Sequence, residues 1–213
     1  MSLLHTSALR MNILLERVQG LDFTRAKQQP SELGLDEREV FIPSPSGGKA
    51  LRRVFADLNI VATDRVLDIG CAKGSAMRDL LRFPFAKVDG LELSAELTQI
   101  ARRNFDKLGK RHVAVYCEDA RTFARYGDYN VFYLYNPFPP PILDQVLAVL
   151  KQQTAQADPG GEQILIYNNP VGDAEMQRHG YYPLRRYPDF WGHGIQVYSS
   201  MRGDGRLGAS RLG

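Results

Sequence analysis

From Arg65 to Tyr167, short apolar runs alternate with segments whose apolar residues recur at helical spacing. The runs Arg65 to Ile69, Lys87 to Leu93, Val113 to Cys117, Val131 to Asn136 and Gln163 to Tyr167 predict strands. Between them, Ser75 to Leu81, the set Leu97, Ile100, Ala101, Phe105 and Leu108, and the set Leu143, Val146, Leu147 and Leu150 predict helices. Strict alternation of strand and helix implies parallel strands joined by right-handed crossovers, with helices on both faces. The expected fold is therefore a doubly wound α/β sheet. Near the end the rhythm breaks. Tyr181 to Tyr187 and Ile195 to Ser199 are separated only by Pro188 to Gly194, too short for a helical crossover, so they pair as an antiparallel hairpin.

Ahead of the alternation, Met11, Leu14, Leu15 and Val18 recur at i, i+3, i+4, i+7 and Gly20 follows, which predicts a short amphipathic helix and its stop. Leu21 to Val40 is polar and mixed in charge and reads as a surface connection. Leu51, Val54, Phe55 and Leu58 mark a second helix after the Pro/Ser/Gly stretch Phe41 to Gly48. This divides the chain into an N-terminal helical cover segment, 1–58, a sheet-bearing core, 59–200, and a flexible Arg/Gly tail, 201–213.

Composition narrows the class. A chain of 213 residues that is 44% hydrophobic and 24% charged can bury one sizeable core, which excludes a disordered protein. No stretch approaches the roughly 18 apolar residues of a membrane span. His5, Arg10, Glu16 and Arg17 interrupt the N-terminal apolar positions, so neither a signal peptide nor an anchor is expected. Two cysteines, Cys71 and Cys117, are too few for a disulfide scaffold, and His5, His112, His179 and His193 lack metal-ligand spacing. A cytoplasmic protein without a metal is expected. The net charge is +3, yet from Arg178 onward six basic residues stand against two acidic ones. That stretch reads as a solvated face and suggests a nucleic-acid partner only weakly.

In a doubly wound sheet, ligands bind beyond the carboxyl ends of the strands. The first strand ends in Asp68-Ile69-Gly70-Cys71-Ala72-Lys73-Gly74, where the glycines let a ligand approach the backbone and Asp68 adds a carboxylate beneath. The G-x-G-x-x-G spacing of a dinucleotide site is absent, and an acidic residue ahead of the glycines suits a ligand presenting a cation. Glu92, at the second strand's end, offers two oxygens to the hydroxyls of a ribose. Asp119, after the third, offers a short acceptor to an adenine amino group. The fourth strand runs into Tyr135-Asn136-Pro137-Phe138-Pro139, a stiff loop over the same place. Cys71 reads as a small turn residue rather than a nucleophile.

Taken in order, Asp68 to Gly74, Glu92, Asp119 and the Asn136-Pro137-Phe138-Pro139 loop resemble the class I S-adenosylmethionine-dependent methyltransferases. The likeness covers about Phe41 to Ser200 and implies seven strands in the order 3-2-1-4-5-7-6 with the last antiparallel. It implies that Asp68, Gly70, Cys71 and Gly74 hold the methionine portion of S-adenosylmethionine, Glu92 and Leu93 its ribose, and Asp119 and Ala120 its adenine. Asn136 then faces both cofactor and methyl acceptor, with Tyr135, Pro137 and Phe138 on the acceptor side. Two departures stand out. Ala72 replaces a third glycine of the usual loop, and Phe138 stands where amino-group methylating members carry a second proline. Phe41 to Pro45 looks like a segment that some members lay across the cofactor carboxylate.

The reaction so implied is in-line methyl transfer to an unidentified acceptor, a nitrogen being one candidate, since a hydroxyl or thiol would need a general base that the sequence does not nominate. Asn136 would orient that acceptor, and Tyr135 and Phe138 could stack on it. Two alternatives remain at this point: a non-catalytic cofactor-binding partner subunit, and a nicotinamide-dependent oxidoreductase, which shares the sheet and the ribose carboxylate.

Overall fold

A computed structural model describes residues 13–24, 28–188, 192–203 and 206. Its centre is a seven-stranded sheet in the order β3-β2-β1-β4-β5-β7-β6. The strands are β1 (Arg65–Ile69), β2 (Lys87–Glu92), β3 (Val115–Cys117), β4 (Val131–Tyr135), β5 (Ile164–Asn168), β6 (Tyr182–Tyr187) and β7 (Ile195–Ser199). β1 to β5 run parallel, and β7 lies antiparallel between β5 and β6. Strand order and hairpin are those expected from the sequence.

Helices α1 (residues 13–18), α2 (Lys49–Asp57), α3 (Ser75–Leu80), α4 (Ala95–Lys107), α5 (Pro140–Ala157) and α6 (Asp173–Arg178) accompany the sheet. The six residues of α6 carry no apolar periodicity beyond the buried Met176, so the sequence pattern does not show this helix. With both faces covered, the inner strands read as continuous apolar runs rather than as alternation. Val66, Val131, Tyr133, Ile164 and Ile166 pack one way with α2 and α3, while Leu67, Phe132, Leu134 and Leu165 pack the other way with α5.

The N-terminal region departs from its sequence pattern in two ways. On α1 the apolar residues Leu14, Leu15 and Val18 are exposed, Val18 by 80%, whereas Glu16 is buried at 3%. Met11 lies outside the described residues. Periodicity selects the apolar face; here polar satisfaction wins. Glu16 accepts the backbone N–H groups of Phe23 and Thr24 and the Thr24 hydroxyl, and pairs with Arg78. The second departure is in Leu21 to Val40, which is more than a surface connection: Leu21 and Phe23 enter the core, Phe23 edge-on to Phe105 at 5.9 Å.

Among the described residues, the C-terminal cations are taken up within the molecule. Arg178 pairs with Glu175, Arg185 with Asp57, and Arg206 with the buried Asp64 and with Glu162. Arg202 covers the Tyr182 ring and Arg186 donates to the His193 carbonyl. The rest of the Arg/Gly tail, and Trp191 in the hairpin connection, lie outside the described residues. No helix among the described residues is long and apolar enough to cross a membrane.

Candidate active site

β1 ends in a turn drawn tightly onto β2, with the N–H groups of Gly70 and Cys71 both donating to the Leu91 carbonyl at 2.8 and 3.0 Å. Gly70 has φ +76 and a Cβ there would lie 2.6 Å from Pro137 Cβ, so a side chain is excluded both by backbone conformation and by the β4 loop. Gly74, at φ +85, abuts the Phe105 ring. Ala72, the residue that replaces a third glycine, takes the left-handed conformation at φ +47. The turn thus keeps a glycine-like backbone through an alanine, at some cost in strain.

Glu92 ties this turn to the end of β2. One carboxylate oxygen accepts the Ala72 N–H at 2.9 Å and the other the Ser94 N–H at 2.8 Å. Burial pushes the Glu92 carboxyl up, opposed by those N–H groups, which favour its charge. Asp68 is 2% exposed, and burial together with the Glu92 charge holds its carboxyl well above the usual carboxylate range. Burial, Asp68 and Glu92 likewise raise the Cys71 thiol, which removes it further from service as a nucleophile.

Two adjoining clefts open over these residues. Gly70, Glu92, Leu93, Asp119, Ala120, Tyr135, Asn136, Pro137 and Phe138, all expected from the sequence, line the larger, which spans about 790 Å³ with the solvent at its mouth. The smaller takes in Gly70, Cys71, Lys73 and Ser75. Asp68 and Gly74 line neither: Asp68 is buried among the strand ends and Gly74 packs on α4. Asp119 gives both oxygens to Arg121, whose guanidinium holds that carboxyl below its ordinary range. Phe138 is 6% exposed and packs with Leu143 in the core, so it shows the cleft little surface.

Sequence reasoning expects a cover from the N-terminal segment, 1–58, but misses three contacts at the site. Residues 39–44 line the larger cleft, with Phe41 N–H donating to the Pro137 carbonyl at 3.0 Å and Glu39 paired twice with Arg121 at 3.1 Å. Only the Phe41 to Pro45 likeness hinted at them; nothing in the sequence joins Glu39 to Arg121, 82 residues away. Third, Tyr167 donates its hydroxyl to Oδ1 of Asn136, itself left-handed at φ +41, at 3.2 Å.

Residues 66–161 match the family model described as a methyltransferase domain. Solved structures share the fold. An RNA methyltransferase from Salinibacter ruber is 20% identical at a TM-score of 0.53, covering 73% of this chain and 91% of its own. A methyltransferase dependent on S-adenosylmethionine, from Aquifex aeolicus, is 16% identical at 0.52, covering 70% and 87%. Geranyl diphosphate C-methyltransferase from Streptomyces coelicolor A3(2) is 14% identical at 0.52, covering 70% and 75%. No curated protein matches the chain. The family match lies on the glycine turn and β1 to β4, and the sheet order 3-2-1-4-5-7-6 is the one that the likeness to class I methyltransferases dependent on S-adenosylmethionine implies.

The residues present fit that cofactor. A cation is favoured where two buried carboxyls, Asp68 and Glu92, share one site. Gly70 presents only backbone to the cleft, its Cβ direction being taken up by Pro137.

Proposed function

We propose that the chain is a methyltransferase dependent on S-adenosylmethionine and acts on a neutral nitrogen of a planar acceptor brought to Asn136. When bound, S-adenosylmethionine supplies an activated methyl group, so the chain's own task is positioning and exclusion of water. Gly70 and Cys71 are assigned to the methionine side, with Asp68 and Gly74 supporting their turn from beneath, Glu92 and Leu93 to the ribose, and Asp119 and Ala120 to the adenine. Asn136, Tyr135, Pro137 and Phe138 are assigned to the acceptor, with Tyr135 the better placed ring for stacking because Phe138 is spent on the core.

The observation that carries this reading is the state of the ionisable groups in the larger cleft. Each carboxylate lining it already has a partner: Glu92 the turn's N–H groups, Asp119 and Glu39 the Arg121 guanidinium, Glu118 the Arg125 guanidinium. No histidine or lysine lines it. A hydroxyl or thiol acceptor would need a base to take its proton, whereas a neutral amine attacks with its own lone pair. Asn136 lies where the β1 turn and the β4 loop meet, and its amide can hold an amine's N–H while the lone pair aims at the methyl group.

Residues 39–48 are proposed as a strap over the cofactor. Besides the Glu39 and Phe41 contacts, Ser46 hydrogen-bonds Tyr133, and the Gly48 N–H donates to Asp79. The internal pairing of Arg178, Arg185 and Arg206 supports reading the basic C-terminal region as structural rather than as a nucleic-acid surface.

The test is transfer of labelled methyl from S-adenosylmethionine into fractionated cell extract, with the label traced to protein, RNA or small metabolites and to nitrogen, oxygen or carbon. Label on nitrogen supports the reading; label on oxygen or carbon ends it. Asn136→Ala is expected to lower turnover by about 10- to 100-fold with cofactor affinity nearly intact. Equal turnover in variant and parent removes Asn136 from the site.

A further inference from the structure

Tyr167 is fully buried near the end of β5, opposite Leu134 of β4, and lines neither cleft. A phenylalanine would fill the same space in a core of Leu134, Leu165 and Tyr198, so packing alone does not call for a hydroxyl. That hydroxyl reaches Asn136 Oδ1 at 3.2 Å. The backbone N–H of Val171 approaches the same phenolic oxygen from the loop beyond β5. The loop is itself held, since the Asn169 N–H donates to the Gly194 carbonyl at 2.9 Å. With a donor directed at its oxygen, the phenol has its proton free for Asn136. Burial pushes the phenol up to about 12, so the proton is present throughout the physiological range.

We propose that Tyr167 is a positioning residue for methyl transfer, holding one lone pair of the Asn136 carbonyl oxygen so that the amide keeps a single orientation, with its other lone pair and its N–H groups available to an acceptor molecule. The proposal rests on the reading of Asn136 given above. A side-chain amide can exchange its donor and acceptor ends by a half turn, and an acceptor molecule would then meet two opposite hydrogen-bond patterns. The backbone of Asn136 is already fixed by its left-handed conformation and by Pro137 beyond it. The side-chain torsion is the freedom that remains, and Tyr167 removes it. One lone pair of Oδ1 is then occupied, leaving one lone pair and two N–H donors. Such an edge selects acceptor molecules that carry a hydrogen-bond acceptor beside the nitrogen to be methylated, and it disfavours simple alkylamines, which have none.

The test compares Tyr167→Phe, Asn136→Ala and the double variant in the extract fraction that the parent labels, with S-adenosylhomocysteine binding and melting temperature measured on each. Tyr167→Phe is expected to lower kcat about 5- to 20-fold, consistent with loss of one orienting hydrogen bond. Its S-adenosylhomocysteine affinity is expected to stay within twofold of the parent, and it should cause no further loss in the Asn136→Ala background. Unchanged kcat in Tyr167→Phe, or an equal loss with and without Asn136, overturns the proposal. If Asn136→Ala is itself silent, the reading of Asn136 fails instead. A second measurement is independent of turnover: the Asn136 side-chain NH₂ pair, assigned in ¹⁵N-labelled protein by its absence from Asn136→Ala. A shift or broadening of that pair in Tyr167→Phe is expected, and unmoved resonances overturn the proposal even where no fraction takes label.

Discussion

Asp68 faces the Glu92 carboxylate from a site that water scarcely reaches, and burial with that neighbouring charge holds its carboxyl well above the ordinary range. Its native pKa lies above its unfolded value, so its contribution to stability is full below about pH 4 and is lost as the pH rises through the native pKa. Asp68→Asn keeps the shape without the ionisation. Its melting temperature should fall less than that of the parent between pH 4 and 8, while cofactor affinity drops; parallel profiles would mean that Asp68 is not the titrating group. Glu92 has a different balance, because its oxygens hold the Ala72 and Ser94 N–H groups. Glu92→Ala leaves those donors without partners and should cost about 1–3 kcal/mol of stability, together with a loss of cofactor binding of similar size. Glu92→Gln, which keeps one acceptor oxygen, should recover part of both in denaturant titration and calorimetry.

Two elements must fit together above the sheet, the β1 turn and the β4 loop. Gly70→Ala puts a methyl group 2.6 Å from Pro137 Cβ in a backbone conformation that alanine resists. Strain of this kind costs about 1–3 kcal/mol, and a lower melting temperature with weakened cofactor binding is the expected outcome. The strap makes a gentler prediction. The Glu39–Arg121 pair is partly exposed, so Glu39→Ala should change stability by less than about 1 kcal/mol. If the strap retains the cofactor, that same change should speed S-adenosylhomocysteine release severalfold in stopped-flow displacement, and an unchanged rate would count against a strap. Removing every residue through Gly47 is too blunt a test, because Leu21 and Phe23 leave the core with it.

For the molecule as a whole, a ligand that binds only the folded state raises its stability by mass action, about 2.7 kcal/mol at 100 times the dissociation constant. In a chain of this size that corresponds to roughly 5–11 °C in melting temperature. S-adenosylhomocysteine should produce such a shift in the parent and a much smaller one in Asp68→Asn, measured by scanning calorimetry. Equal shifts in both would place the ligand away from the β1 turn.

Much of this was legible in the chain because it depends on local order. Apolar periods of two kinds set the strands and helices, and the short hairpin connection forces β6 and β7 to pair antiparallel. Gly70, Glu92, Asp119 and Asn136 could be named as candidates and do line the cleft, because each falls at a strand's carboxyl end and parallel strands bring all such ends to one edge of the sheet. What depended on partners distant in sequence could not be read. Val18 faces outward and Glu16 inward because Arg78 and the Phe23 and Thr24 N–H groups wait there, 7 to 62 residues away. Tyr167 looks like one more core residue of β5 until the β4 loop brings Asn136 to its hydroxyl. Glu39 and Arg121 are ordinary surface charges until the chain lays residues 39–48 across the cleft. A side chain's hydrophobicity belongs to the residue itself, whereas a hydrogen bond or an ion pair belongs to two groups, and only the tertiary structure decides which two meet.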